Sequence, residues 1–127
     1  QEAAQIFEGL FDASIYMDLR RLPELFCGFP RQRGTGPVFY PVACSPQAWA
    51  TAAPLMMLQA CLGIAFDPAA RRITFNRPIL PRFLDEVTLR GLRIADATAD
   101  ITLRRAGEGV ALQVLRRSGP CEIVTTN

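Results

Sequence analysis

The chain contains neither histidine nor lysine, and these two absences exclude several kinds of chemistry. Without histidine there is no Ser-His-Asp or Cys-His catalytic group, and the commonest metal ligand is missing. All fourteen basic residues are arginine, and a net charge of +2 is too small to indicate a nucleic-acid partner. The four cysteines show no C-x-x-C spacing, so we expect reduced, buried thiols and no metal site.

Long apolar runs are also missing. The longest one, from Ala48 to Ile64, is interrupted by Pro54, Gln59 and Gly63, and is too short for a membrane span. The chain begins at Gln1, and its first residues do not show a basic start followed by an apolar middle, so we expect no signal sequence in this part. Because half of its residues are apolar, it can bury a core. We therefore expect a soluble, cytoplasmic fragment of a longer protein that has no membrane partner.

The first half of the sequence predicts a helix, a long loop and a second helix. Residues 2–19 repeat apolar side chains at the helical period, until Leu22-Pro23 ends the pattern. The loop over 23–44 holds seven prolines and glycines, but its aromatic residues predict an ordered conformation. The second helix is predicted from Ser45 and Pro46 to Leu62, with Gly63 as its C-cap. It is apolar nearly all round, which is typical of a buried helix.

The second half alternates apolar and polar residues, a pattern typical of half-buried antiparallel strands. Asp67 and Pro68 indicate a turn before these strands. Asp67 is interpreted as a turn former rather than a cation ligand. The order of elements predicts an α+β fold. The predicted strands are Arg72–Phe75, Glu86–Ile94, Ala99–Arg104 and Gly109–Arg116, and a last strand is predicted within 120–127.

Two segments carry the most specific motifs, Arg21–Phe29 (RLPELFCGF) and Tyr40–Ala50 (YPVACSPQAWA). They place one carboxylate, Glu24, in an aromatic, glycine-containing loop and then open a helix that carries the only tryptophan, Trp49. An ionisable group beside flat apolar rings suits the chemistry of sugars, because the carboxylate activates water and the rings cover the faces of the sugar.

These motifs resemble the C-terminal end of the catalytic barrel in bacterial amylo-alpha-1,6-glucosidases of the glycogen-debranching type, over roughly residues 1–115. The resemblance implies that residues 1–66 are a helical piece of an (alpha/alpha)6 toroid and that residues 67–127 are a C-terminal antiparallel β segment. It implies an inverting glycoside hydrolase that cleaves alpha-1,6-glucosidic branch points without a metal or organic cofactor.

By the same resemblance, Glu24 is the general base of the hydrolysis. The nearby Arg20, Arg21, Arg31 and Arg33 would keep it ionised. Trp49, Gln47 and Tyr40 are the candidate sugar contacts. Two plainer interpretations stay open: Glu24 pairs structurally with Arg21, and Trp49 belongs to a core. Phe26 and Phe29 are assigned to packing of the loop.

The expected partners are a branched alpha-glucan or oligosaccharide and the rest of the catalytic barrel. No second carboxyl group lies in an aromatic loop, so we expect the general acid elsewhere and the isolated chain to be inactive. Exposure of the first helix predicts homo-oligomers through Ile6, Phe7, Leu10 and Phe11. Two alternatives are a β-rich accessory module that binds glucan and an alpha/alpha-barrel glycosidase for another sugar.

Overall fold

The structure, a computed structural model, describes residues 2–126 of the chain. Within them it contains two α-helices, one short 3₁₀ helix and six β-strands, so the predicted α+β class is confirmed. The chain divides into two compact units, Gln1–Leu58 and Gln59–Asn127, whereas the sequence pattern puts the boundary after Phe66. In the described part, no helix combines the length and the apolar character that crossing a bilayer requires.

The first helix, α1, spans Glu2–Ser14 and ends earlier than the helix predicted over 2–19. The hydroxyl of Ser14 donates to the carbonyl of Phe11 at 2.6 Å, and the following residues close into tight turns. A separate 3₁₀ helix, Asp18–Arg20, then holds Leu19 at a φ of 52°. An α-helix cannot contain that left-handed conformation, so the predicted extension through Leu19 is wrong.

One side of α1 is buried through its aromatic residues. The side chain of Phe7 is 4% exposed, and its ring meets that of Phe11 edge-on, with centroids 6.3 Å apart. Ile6, in contrast, is 55% exposed. The predicted association stripe is therefore wrong for Phe7, because a buried ring is not available to a second copy of the chain.

The loop between the helices is ordered by contacts across it. Phe26 and Phe39 form an isolated antiparallel bridge, and the N–H of Cys27 donates to the carbonyl of Val38 at 3.1 Å. These contacts fold the loop back on itself, as expected from its aromatic content. Phe29 is 68% exposed, so its predicted role in packing the loop is wrong.

The second helix, α2, spans Ala48–Leu62, three residues later than the predicted start at Ser45. The carbonyl of Gln47 accepts the first helical hydrogen bond from Thr51, while its own N–H donates to the carbonyl of Leu22 at 3.0 Å. Because that bond ties Gln47 to the loop, Ser45 and the following proline lie before the helix. The Ser45-Pro46 motif therefore does not start the helix, and the hydrogen bond to Leu22, which is distant in the sequence, accounts for the later start.

The end of α2 agrees with the prediction, but its burial does not. Gly63 follows the helix at a φ of 56°, the conformation that favours glycine after a helix. Along the helix, Trp49, Leu55 and Met56 are each at least 66% exposed, and only the last two residues are buried. The predicted buried helix is thus uncovered over most of its length within this chain.

The second unit contains two three-stranded sheets. Their strands are β1 (Ile64–Asp67), β2 (Arg72–Asn76), β3 (Glu86–Ile94), β4 (Ala97–Ala106), β5 (Gly109–Ser118) and β6 (Glu122–Thr126). The first sheet has the order β1-β2-β6, with β1 antiparallel and β6 parallel to β2; the second is the antiparallel meander β3-β4-β5.

The strand prediction was correct for β2 to β5 and incomplete elsewhere. Strand β1 was missed because its four residues are too few to show an alternation. The predicted last strand is present as β6, although Asn127 lies outside the described residues. The predicted antiparallel pairing is wrong for β6, because it reaches β2 through a long connection that permits a parallel return.

Alternate residues of β2 and β4 form the apolar centre of this unit. Ile73 and Phe75 of β2, and Ile101 and Leu103 of β4, have no exposed surface. Each pair is separated by two positions, so both members lie on the same face of their strand. The alternation in the sequence therefore identified the inward face of both sheets.

All four cysteines are free thiols, but they differ in burial. Cys61 and Cys121 are buried, Cys27 is half-buried and Cys44 is exposed. The expectation of buried thiols is therefore confirmed for two residues and wrong for Cys44. Burial raises the pKa of the Cys61 thiol, because the thiolate loses its hydration.

Candidate functional site

The two sequence motifs lie side by side, held by hydrogen bonds around Glu24. The N–H of Glu24 donates to the carbonyl of Cys44 at 2.9 Å, and the N–H of Cys44 donates back to the Glu24 Oε2 at 3.2 Å. The bond from Gln47 to the carbonyl of Leu22 extends the same contact. Residues twenty positions apart in sequence are thereby joined, and the carboxylate is fixed relative to the start of α2.

The Glu24 carboxylate is half-buried and keeps an oxygen available. Its Oε2 accepts the Cys44 hydrogen bond, and within residues 2–126 its Oε1 has no hydrogen-bond partner. None of the ion pairs among these residues includes Glu24, so the structural pair with Arg21 is absent. The expected support from neighbouring arginines is wrong for Arg31, which pairs with Asp12 at 2.7 Å instead.

The three candidate sugar contacts occupy different positions around this carboxylate. Gln47 is half-buried and is connected to the Glu24 loop through its main chain. Trp49 is 67% exposed in the first turn of α2, which excludes a core position within this chain. Tyr40 is 45% exposed, and its carbonyl accepts a turn hydrogen bond from Ala43 at 3.1 Å. In the described part of the chain, no hydrogen bond joins the side chains of Glu24, Gln47, Trp49 and Tyr40.

Two other acidic side chains of the first unit, Asp12 and Asp18, have different surroundings. Asp12 is engaged by Arg31, and Asp18 lines a small cavity of about 140 Å³ together with Arg21. Neither shares a hydrogen bond with Glu24 among residues 2–126. The geometry therefore presents Glu24 as a single positioned carboxylate, without a second carboxyl group paired to it.

A larger cavity, of about 710 Å³, lies between α1 and the loop and was not predicted. None of Glu24, Tyr40, Gln47 and Trp49 lines it. Part of its signal is visible in the sequence, because three lining residues of α1 with small or polar side chains, Gly9, Asp12 and Ala13, recur at positions i, i+3 and i+4. Tyr16, in the turn after the helix, also lines the cavity. The loop side is formed by Cys27, Phe29, Pro30, Arg31, Gln32, Thr35, Gly36, Pro37 and Val38.

Several arginines of the second unit contact carboxylates and carbonyls. Arg71 pairs with Asp96 at 3.0 Å and Arg72 with Glu122 at 2.7 Å. Arg105 donates to three carbonyl oxygens of the segment before β3. The charge of these three arginines is thus engaged locally.

The sheets offer little support for a glucan-binding accessory module. Such a module would present several exposed aromatic rings along one sheet. Phe75 is fully buried, Phe83 is half-buried, and the aromatic residue of the missed strand β1, Phe66, is 43% exposed. Phe66 alone does not form the row of exposed aromatic rings that such a module would need.

Comparison of the chain with protein-family models, curated proteins and solved structures finds no match. Among residues 2–126, no group of three or more cysteine, aspartate and glutamate side chains is arranged to hold a metal ion. The functional assignment therefore depends on the residues around Glu24 and their geometry.

Proposed function

We propose that this chain is the C-terminal part of a cytoplasmic glycoside hydrolase of the glycogen-debranching type, in which Glu24 is the general base. The observation that carries the proposal is the anchoring of Glu24: Cys44 holds one carboxylate oxygen, and among residues 2–126 no arginine pairs with the group. A general base must be positioned and must keep a lone pair for the proton that it removes. The second oxygen of Glu24 satisfies that requirement.

In the proposed reaction, Glu24 removes a proton from a water molecule as the water attacks the anomeric carbon of an alpha-1,6-linked glucose. The bond from that carbon to the branch oxygen breaks, and a second carboxyl group protonates the oxygen. In inverting enzymes the two carboxyl groups are about 6.5–9.5 Å apart, which leaves room for the water. Trp49, Gln47 and Tyr40 would hold the sugar, through ring faces and an amide that pairs with hydroxyls.

The second carboxyl group would come from another segment of the protein, since the structure gives Glu24 no carboxyl partner. The uncovered part of α2 is consistent with a further partner. Trp49, Leu55 and Met56 are each at least 66% exposed, and soluble proteins rarely leave large apolar patches in contact with water. In this proposal, α1 and α2 are the closing helices of an (alpha/alpha)6 toroid. The remaining helices would cover these side chains, and the isolated chain would release no glucose.

The proposal is tested in the full-length protein by Glu24→Ala and chemical rescue. Removal of the base should lower glucose release from a branched dextrin by about 10²–10⁴-fold. Azide needs no deprotonation, so sodium azide should restore cleavage and give a β-glucosyl azide, with inversion at the anomeric carbon. Glu108→Gln, an exposed carboxylate in the turn before β5, is the matched control and should keep normal turnover.

Two results would contradict this assignment. Normal turnover of Glu24→Ala would end the catalytic role of Glu24. Rescue that gives an azide of the original α configuration would exclude an inverting reaction at this carboxylate.

A further inference from the structure

The large cavity of the first unit is built so that it stays open. On the α1 side, a Cβ atom placed on Gly9 would have no heavy atom within 4 Å, and Ala13 adds only a methyl group. On the loop side, Gly36 packs against Tyr16, where an added Cβ atom would lie 2.8 Å from the ring carbon Cγ. The glycine thus allows the loop to fix one part of the ring, while 48% of Tyr16 stays exposed. At about 710 Å³ the cavity has the size of a small-molecule site.

The charged groups of the cavity neutralise each other. Arg31 Nη2 donates to Asp12 Oδ2 at 2.7 Å and connects the loop with the helix. The hydrogen bond that Arg31 donates to Asp12 also raises the pKa of Arg31, so the guanidinium stays charged. A free anion would compete with Asp12 and a free cation would compete with Arg31, so the pair favours a ligand without net charge. Such a pair still presents both donors and acceptors to hydroxyl groups.

The other lining residues are aromatic or carry neutral polar groups. Phe29 is 68% exposed and Tyr16 offers a second ring, while Gln32 and Thr35 add an amide and a hydroxyl. The Thr35 hydroxyl already donates to the carbonyl of Gln32 at 3.1 Å, which leaves its lone pairs as acceptors. A ligand that matches this lining has apolar faces, many hydroxyl groups and no charge. A hexose ring has all three properties.

We propose that the cavity between α1 and the loop binds a neutral hexose oligosaccharide, at a site separate from Glu24. Among residues 2–126, Asp12 is the one carboxylate in the lining of this cavity, so the pair of carboxyl groups that glycoside hydrolysis uses is missing there. The cavity holds the sugar chain without cleaving it. The inference does not depend on the catalytic role of Glu24, since the two sites share no residue.

The experiment is a titration of the 127-residue chain with maltotriose, followed by saturation transfer from protein to ligand in NMR. The decisive variants are Gly9→Leu and Gly9→Ala. Leucine would extend into the open cavity, and both residues favour the helix over glycine, so neither variant should impair folding. Gly9→Leu should weaken binding by about tenfold or more, and Gly9→Ala should leave it nearly unchanged.

A second pair of variants locates the sugar. Phe29→Ala should weaken maltotriose binding by about tenfold or more, whereas Trp49→Ala should have little effect, because Trp49 does not line the cavity. Far-UV circular dichroism checks that each variant is folded. Loss of binding in Trp49→Ala with normal binding in Phe29→Ala would overturn the inference and place the sugar beside Glu24 instead.

The chemical class of the ligand is tested by competition. Inorganic phosphate and spermidine, at the concentrations used for maltotriose, should leave the transfer signal unchanged. Displacement of maltotriose by either ion would contradict a site for neutral ligands. Absence of any transfer from the unmodified chain would overturn the inference while leaving the proposal for Glu24 open to its own azide test.

Discussion

Alanine variants at Gly63 and Gly91 distinguish the energetic cost of backbone strain from the cost of steric overlap. Both have a positive φ, 56° and 66°, which costs a residue with a side chain about 1–2 kcal/mol. At Gly91, which lies at the irregularity of β3, an added Cβ atom would meet nothing within 4 Å. At Gly63 the same atom would lie 2.0 Å from the carbonyl oxygen of Asn76. The two alanine variants therefore share the strain and differ in the overlap.

We expect the overlap at Gly63 to destabilise the folded state strongly, because two hydrogen bonds fix the position of Asn76. Its N–H donates to the carbonyl of Gly63 at 3.0 Å, and its side-chain oxygen accepts from the Thr126 hydroxyl at 2.7 Å. To reach even 3.0 Å from the new Cβ atom, the Asn76 carbonyl must retreat by 1.0 Å. A shift of that size would break the first hydrogen bond, at about 1 kcal/mol, and would disturb the end of β2.

We expect Gly91→Ala to lower the free energy of unfolding by about 1 kcal/mol and Gly63→Ala to lower it by about 3 kcal/mol or more. Urea titrations followed by circular dichroism in the β region measure both, provided that the slopes agree between variants. Equal losses in the two variants would refute the reasoning, since they would mean that the carbonyl of Asn76 adapts at no cost.

Three further predictions concern single side chains. Glu24→Gln should change the free energy of unfolding by less than about 1 kcal/mol, because the amide oxygen can still accept from Cys44; a large drop in the thermal midpoint would indicate a structural role. Arg105→Lys should destabilise the second unit by about 1–2 kcal/mol in urea titrations, because an ammonium group cannot reproduce the guanidinium contacts with three carbonyls; wild-type stability would contradict this. The raised pKa of Cys61 means that its neutral thiol favours the folded state, so its contribution is complete below the unfolded pKa and lost as the pH rises above it. Unfolding free energies of the wild type and Cys61→Ala, compared between pH 7 and 10, should converge toward high pH; a constant difference would refute this.

The parts of the fold that depend on local alternation could be predicted from the sequence. The bounds of β3, Glu86–Ile94, agree with the prediction because apolar residues alternate on both sides of Gly91, at Val87 and Leu89 before it and at Leu92 and Ile94 after it. The start of α2 could not be predicted, because the bond from Gln47 to Leu22 joins residues that only the folded loop brings together. The early end of α1 has a similar origin, in the left-handed conformation of Leu19.

In the candidate site, too, the residues within a local sequence motif could be singled out, and the features that depend on long-range contacts could not be predicted. The motifs drew attention to Glu24, Gln47 and Trp49, whose roles stay predictions, and the structure joins the two motifs through the hydrogen bonds between Glu24 and Cys44. The cavity could not be predicted, because its charged pair joins Asp12 with Arg31 across nineteen positions, and the sequence assigned that arginine to Glu24. Long-range pairing of charged side chains has no periodic signal, so only the fold reveals it.

The parallel pairing of β2 with β6 has a consequence for the order of folding. The partners Arg72 and Glu122 are fifty positions apart, whereas β1 and β2 are joined by a short turn and β3 to β5 by hairpins. Contacts between near neighbours form sooner, because closing a short loop loses less entropy. During synthesis, β2 therefore stays an open edge until Glu122–Thr126 has emerged. In that interval the open edge of β2 can pair with another growing chain, and once β6 has paired with it the edges of the sheet are β1 and β6.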